Sequence, residues 1–329
     1  MRTKILIKED NDSFLNNFKY FLKRLFNRSI YDHRISTNLN LETKSKNIIK
    51  KVNFNFLKNR ELLLATANGL YIIKKNELVC VFKDNGFYGV AKYKNKYFVA
   101  CKGRPRHHTQ GAIISFNYIS GKVKNIKIEY KLREQAFHDI KIFKKKLYVV
   151  NSTWRKNKIG KILKFNIENE NIKLEKTITV DTNYPFSHLN TIFFKKNSIL
   201  VCYHNYTKIT RIPSQICELS KEWKFKKIVE TSNLSCAHDC SIINKKLHVL
   251  DSEHGIFYMG KDKIHFKNRF LKGLDYDGQK YYVGVNRLAQ RYNRKSMSPD
   301  LVLIDRKKKK KRFIKLYKIG NINNITVLK

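Results

Sequence analysis

Three histidines recur at a fixed interval in this chain. His138, His188 and His238 stand fifty and fifty residues apart, in the strings FHDI, SHLN and AHDC. Neutral imidazole suits divalent transition metals, and three imidazoles leave coordination positions open for water and substrate. The spacing therefore points to a site for Zn, Fe or Mn, which could activate a bound water or polarise a carbonyl. Tyr88, Asp139, Asp239 and Arg287 are the catalytic candidates beside it, the carboxylates and the phenol as acid–base groups. Arg104, His107, His108, Asn190, His204, His254 and Lys272 are the candidates for holding substrate. Arg104 and Arg106 flank the His pair in GRPRHHTQG, where bidentate guanidinium contacts could hold an anion. No HxH or HxxxH pair gives a local chelate. The alternative is that each imidazole is a structural polar group lining a wet channel.

Groups so far apart in sequence meet only if a repeated element brings them together, and the chain is repetitive. From residue 59 onward one unit recurs: an alternating run, a short polar turn and a second alternating run. It reads FYGVAKYKNKYFVAC, FHDIKIFKKKLYVVNS, SHLNTIFFKKNSILVCYHN, AHDCSIINKKLHVLDSEHG and LKGLDYDGQKYYVGVNR, with a shorter first copy at 61–82. Two further strands follow each unit, as in GKILKFNIE then IKLEKTITV. Four short antiparallel strands at this period are the signature of a β-propeller blade, and six blades of about 45 residues fill 59–329. The expected fold is all-β, a six-bladed propeller in which NITVLK at 324–329 closes the ring onto the first blade. Aligning the repeats on their histidines puts the column at the start of the innermost strand, where side chains face the central channel. Tyr88 precedes and Lys272 follows in that column.

Residues 1–58 have a different texture. DSFLNNFKYFLKRLFNR at 12–28 carries Phe and Leu at helical spacing with basic residues between, which reads as an amphipathic helix packed on the following domain. Residues 35–52 read as a linker with weak structure. The lysine run 307–311 lies between two strand-like runs and reads as a solvated hairpin turn rather than a localisation or nucleic-acid patch. The six cysteines form no CxxC pair and mostly sit in apolar runs, as expected of buried thiols. With no signal peptide and no transmembrane stretch in view, the expected location is cytoplasmic.

The net charge is +43, from 69 basic and 26 acidic residues. Such a balance invites a polyanionic partner. Yet only sixteen of the basic residues are Arg and 53 are Lys, spread along the whole chain. Arg is the residue that reads phosphates and bases bidentately. Lys, Asn and Ile at tolerant positions fit nucleotide bias better, so any nucleic-acid contact is expected to be non-specific.

The strings SHLNTIFF, AHDCSIINKKLHVLDSEHG, LKGLDYDGQKYYVGVNRLAQR, DLVLIDR and NINNITVL, in this order, resemble an uncharacterised bacterial propeller family, a domain of unknown function sometimes joined to tetratricopeptide repeats. The resemblance covers about residues 60–329. It implies the six-bladed fold and brings no activity. More remotely, the architecture is similar to gluconolactonase-like and lyase-type propellers. The resulting expectation is a channel-mouth enzyme or binder acting on an anionic small molecule or saccharide, as a lyase, hydrolase or lactonase. The alternatives are a non-catalytic scaffold binding a protein or acidic polymer, and charge-driven association with nucleic acid.

Overall fold

A computed structural model describes residues 48–51, 57, 60–83, 86–101, 110–133, 136–152, 160–180, 188–205, 212–289 and 293–328. The helix expected at 12–28 and the loop bearing Arg104, His107 and His108 lie outside the described residues.

The chain forms six antiparallel sheets, the blades of a six-bladed propeller. Blade 1 holds β1 (Ile48–Lys51), β2 (Leu62–Thr66), β3 (Gly69–Lys74) and β4 (Glu77–Lys83). Blade 2 is β5 (Phe87–Tyr93), β6 (Lys96–Cys101), β7 (Gln110–Ile119) and β8 (Lys122–Arg133). Blade 3 is β9 (Phe137–Phe143), β10 (Lys146–Asn151), β11 (Lys161–Glu168) and β12 (Asn171–Thr179). Blade 4 is β13 (Leu189–Phe194), β14 (Ile199–Tyr203), β15 (Ser214–Leu219) and β16 (Phe225–Leu234). Blade 5 is β17 (His238–Ile243), β18 (Lys246–Asp251), β19 (Ile256–Met259) and β20 (Asp262–His265). Blade 6 is β21 (Phe270–Tyr276), β22 (Lys280–Asn286), β23 (Asp300–Asp305) and β24 (Lys311–Lys315). The last strand, β25 (Ile322–Val327), pairs with β2 and becomes the innermost strand of blade 1. The ring is thus closed by joining the two ends of the propeller sequence within one sheet, as expected. One difference concerns the stretch read as a weak linker. Its residues 48–51 pair with β4 and add a fifth strand to the outer edge of blade 1.

Local chemistry explains the blades. Several hairpins turn on pairs of polar residues that accept a left-handed backbone: Lys144–Lys145 and Asn244–Lys245 in the inner hairpins of blades 3 and 5, and Lys75–Asn76 between β3 and β4, all at positive φ. Two consecutive residues in that region suit the twist of tightly connected strands. The core lies between blades. Leu64, Tyr71, Leu303, Leu316 and Ile325, for example, share one buried cluster that joins blade 6 to blade 1. All six cysteines carry thiols, five of them buried. Burial pushes Cys101, Cys217 and Cys240 up to about 12.

Polar stitches also run from one innermost strand to the next. Asn323 Nδ2 donates to the Phe87 carbonyl at 2.8 Å. Asp139 accepts from Ile192 N at 3.2 Å, and Asn190 Nδ2 donates to the Ala237 carbonyl at 3.4 Å. Asp239 accepts from Gly273 N at 2.8 Å, and Asp275 from Val327 N at 2.6 Å. Between blades 2 and 3 the device is a missing side chain. A Cβ on Gly89 would lie 2.5 Å from Ile140 N, so only glycine allows that approach.

Candidate functional site

Strand register defines the channel-mouth column. The cross-strand pairs Ala91↔Phe98, Lys141↔Tyr148, Phe193↔Leu200, Ser241↔His248 and Asp275↔Tyr282 sit at the same distance from their hairpin turns. Three residues before each stand Tyr88, His138, Asn190, His238 and Lys272. The blade 4 member is therefore Asn190, and His188 lies two residues upstream of it. Spacing between identical letters placed His188 in the column; the hairpin takes it out. The sixth member is Asn323 on β25, by the irregularity that β25 shares with β13 in its pairing. Alignment of the repeats missed it, because blade 1 draws its innermost strand from the other end of the chain.

His188 nevertheless reaches the same mouth. Its backbone, at φ 60°, accepts the His204 N–H at 3.1 Å, which sets the two imidazoles side by side at the open end of blade 4. A ring of side chains results. Lys272 Nζ lies 4.5 Å from the centre of the Tyr88 ring. Tyr88 packs on His138 at 5.0 Å, His138 on His188 at 4.5 Å, His188 on His204 at 5.2 Å and His204 on His238 at 5.3 Å. Five of the blades supply this ring.

The protonation logic follows from the contacts. His138 Nε2 and His188 Nε2 are 3.0 Å apart, so one carries a proton that the other accepts. Two imidazolium ions would repel at that distance, so the pair holds at most one extra proton. His238 Nδ1 lies 2.6 Å from the Cys236 carbonyl and 2.7 Å from Ser252 Oγ. A carbonyl only accepts, so the proton sits on Nδ1 and Nε2 keeps its lone pair. Burial, with Lys272, His204 and Arg294 nearby, holds His238 well below the usual imidazole range and keeps it neutral. The ring thus combines a fixed ammonium, a phenol, a neutral base and a proton-sharing pair.

The expected three-histidine metal centre is not formed. Among the described residues no group of three or more His, Cys, Asp or Glu is placed to hold a metal ion. In the ring His188 Nε2 meets His138 Nε2, and His204 stands between His188 and His238. Two candidates for acid–base work are held in structural roles. Asp139 takes the N–H groups of Ile140 and Ile192 and an ion pair with Lys141 at 3.1 Å. Asp239 caps Gly273. Arg287 is exposed, beyond the end of β22. His254 stands at the rim with its side chain half exposed, and its Nδ1 lies 2.8 Å from the buried Asp251.

Burial pushes the Asp239 carboxyl up to about 6, although Gly273 N–H and Lys141 pull it down. The sign follows from linkage. Between about pH 4 and 6 the folded state keeps a proton that the unfolded state has lost, so this group makes the fold less stable as pH rises through that window. Asp239→Asn keeps an acceptor for Gly273 and has no proton to lose. It should gain on the wild type as pH rises from about 4 to 6, by on the order of 1–3 kcal/mol, then level off. Urea unfolding of both proteins across that range reads the difference.

No family model and no curated protein matches the chain in sequence. Solved structures match it in shape. The propeller is similar to a candidate 6-phosphogluconolactonase from Bacteroides fragilis, with a TM-score of 0.51 at 9% identity, covering 83% of this chain and 99% of that one. It is also similar to a candidate 6-phosphogluconolactonase from Bacteroides uniformis, with a TM-score of 0.50 at 10% identity, covering 80% and 83%. The chain is a six-bladed β-propeller whose shape resembles lactonase-type propellers. Among its described residues no helix is long and apolar enough to cross a membrane.

Proposed function

We propose that the channel mouth binds a small anionic molecule of the sugar-acid class, and that the histidines around it serve acid–base chemistry of the hydrolase or lactonase type. The observation that carries this reading is the ring itself: Lys272, Tyr88 and four imidazoles meet on one face although they come from five blades. Lys272 would receive the phosphate or carboxylate. A neutral His238, or the accepting member of the His138–His188 pair, would take a proton from an attacking water. The proposed substrate type also agrees with the names of the two lactonase candidates, which denote a phosphorylated sugar lactone. A metal bound by His138, His188 and His238 together has no place in this scheme.

Calorimetry with 6-phosphogluconate, gluconate and glucose tests the reading. The two acids should bind and the neutral sugar should not. Lys272→Met should weaken the acids by about tenfold or more, the usual worth of a charge-assisted contact. His188→Asn should change the pH dependence of binding by ending the proton sharing. Equal binding of glucose, or no binding of either acid, would overturn the proposal.

A further inference from the structure

A second feature lies at the perimeter, on the outer edge of blade 6. The lysine run forms the β23–β24 turn, where the Asp305 carboxylate accepts the N–H groups of Lys307 and Lys308. The hairpin expected from sequence is present, but its continuation has a character the turn alone does not explain. Among the described residues β24 is the last strand of its sheet. Ile314 is buried, so Lys311, Phe313 and Lys315 share the outward side of β24, with Lys315 Nζ 3.6 Å from Asp300; Tyr317 follows in the turn after the strand. Phe313 is 52% exposed and Tyr317 55%. Among the described residues they are the only aromatic side chains in the set of large exposed hydrophobics. Phe313 leans on blade 5: its ring lies 6.2 Å from that of the buried Phe266, and Lys311 Nζ sits 5.2 Å from the same ring.

We propose that this edge is a sequence-independent binding strip for single-stranded nucleic acid. Lys311, Phe313 and Lys315 share one side of β24, where residues two apart repeat every ~6.7 Å, and the lysines of the β23–β24 turn and Tyr317 continue this surface at its two ends. Bases can stack on the rings while the ammonium groups meet the phosphates between them. A duplex keeps its base faces stacked on one another and offers them to no side chain. A membrane surface would favour a continuous apolar wedge, whereas here each ring has charged neighbours. The cations are mostly lysines, with Arg312 exposed beside Phe313, and they meet phosphates without a fixed set of base contacts. The strip is separate from the channel mouth and does not rest on the function proposed for it.

The test is fluorescence anisotropy of the full chain with a labelled oligodeoxythymidine of about 20 nucleotides, the matching duplex, and vesicles containing phosphatidylserine. The single strand should bind more tightly than the duplex, with affinity falling steeply between about 50 and 200 mM salt. Phe313→Ala and Tyr317→Ala should each weaken it about tenfold with the salt slope unchanged. Replacing Lys307, Lys308 and Lys310 by Gln should flatten the slope by about 2. A control that replaces Lys122, Lys124 and Lys127 on β8 should retain the affinity. Both aromatic sites are exposed, so melting curves should show intact folds. Equal affinity for the duplex, indifference to the aromatic variants, an equal loss in the β8 control, or capture by vesicles without oligonucleotide binding would each overturn the proposal.

Discussion

Removal of residues 322–329 is expected to leave no folded propeller. The deleted segment is the innermost strand of blade 1, and three of its apolar side chains, Ile322, Ile325 and Leu328, are buried. Burying an aliphatic side chain of this size is worth about 1.5–3 kcal/mol. Three such losses amount to roughly 5–9 kcal/mol, against a total stability of about 5–15 kcal/mol for a typical domain. The loss extends beyond burial. Asn323 stitches blade 1 to blade 2, and Asp275 takes the Val327 N–H from blade 6. The buried Asn286 side chain binds both backbone groups of Ile322, at 2.8 and 3.0 Å. Without the strand, the buried Asn286 and the part-buried Asp275 lose these partners, and the inner edge of β2 opens to other chains. Circular dichroism and gel filtration should show lost strand signal and aggregation. Removal of Lys329 alone should be tolerated. A truncated monomer melting with the full chain would show that the ring does not need its closing strand.

Gly284→Ala is expected to be the most damaging single substitution by contact alone. A Cβ there would lie 2.1 Å from the Lys272 carbonyl oxygen and 2.7 Å from the Ile322 side chain. Neither neighbour can easily yield, since one is backbone in the paired strand and the other is buried in the closing strand. Overpacking of a tight core costs about 1–3 kcal/mol and occasionally more. For a domain of this size the melting temperature should fall by roughly 2–6 °C. Because the collision pushes on Lys272, anion binding at the mouth should weaken as well. Gly278→Asn is the comparison. Gly278 has φ of +93° and nothing within 4 Å of its would-be Cβ, so its cost is conformational only and should be the smaller. Similar losses at both positions would show that backbone freedom, not the approach to Lys272, sets the need for glycine.

Much of the architecture was legible in the order of residues, because its causes are local. Alternation of apolar and polar residues defines a strand half-buried between blades. Pairs such as Lys-Asn, Lys-Lys and Asn-Lys mark the two-residue turns, where they take positive φ. NITVLK announced the closing strand through its alternation and its place after the last hairpin. The site was legible only in outline. Tyr88, His138, His238 and Lys272 were recognisable from their blade positions, and His204 from its place at the end of a second strand.

Their partnership was decided in three dimensions. His188 and His138 are fifty residues apart, like His138 and His238, but blade 4 turns its hairpin two residues later. Asn190 therefore takes the column position, and His188 meets His138 from outside it. Asp139 and Asp239 looked like acid–base groups beside histidines, but the adjoining innermost strand presents each with a backbone N–H. Asn323 could not be aligned because its blade is assembled from both ends of the propeller. Sequence alone determined six blades, their turns and a cluster of polar groups at the mouth, since strand alternation and turn conformation depend on near neighbours. Only the tertiary structure decided that the histidines form a ring with Lys272 and Tyr88 and not a metal centre, because ring-to-ring distances depend on the register of each hairpin and the packing of one blade on the next.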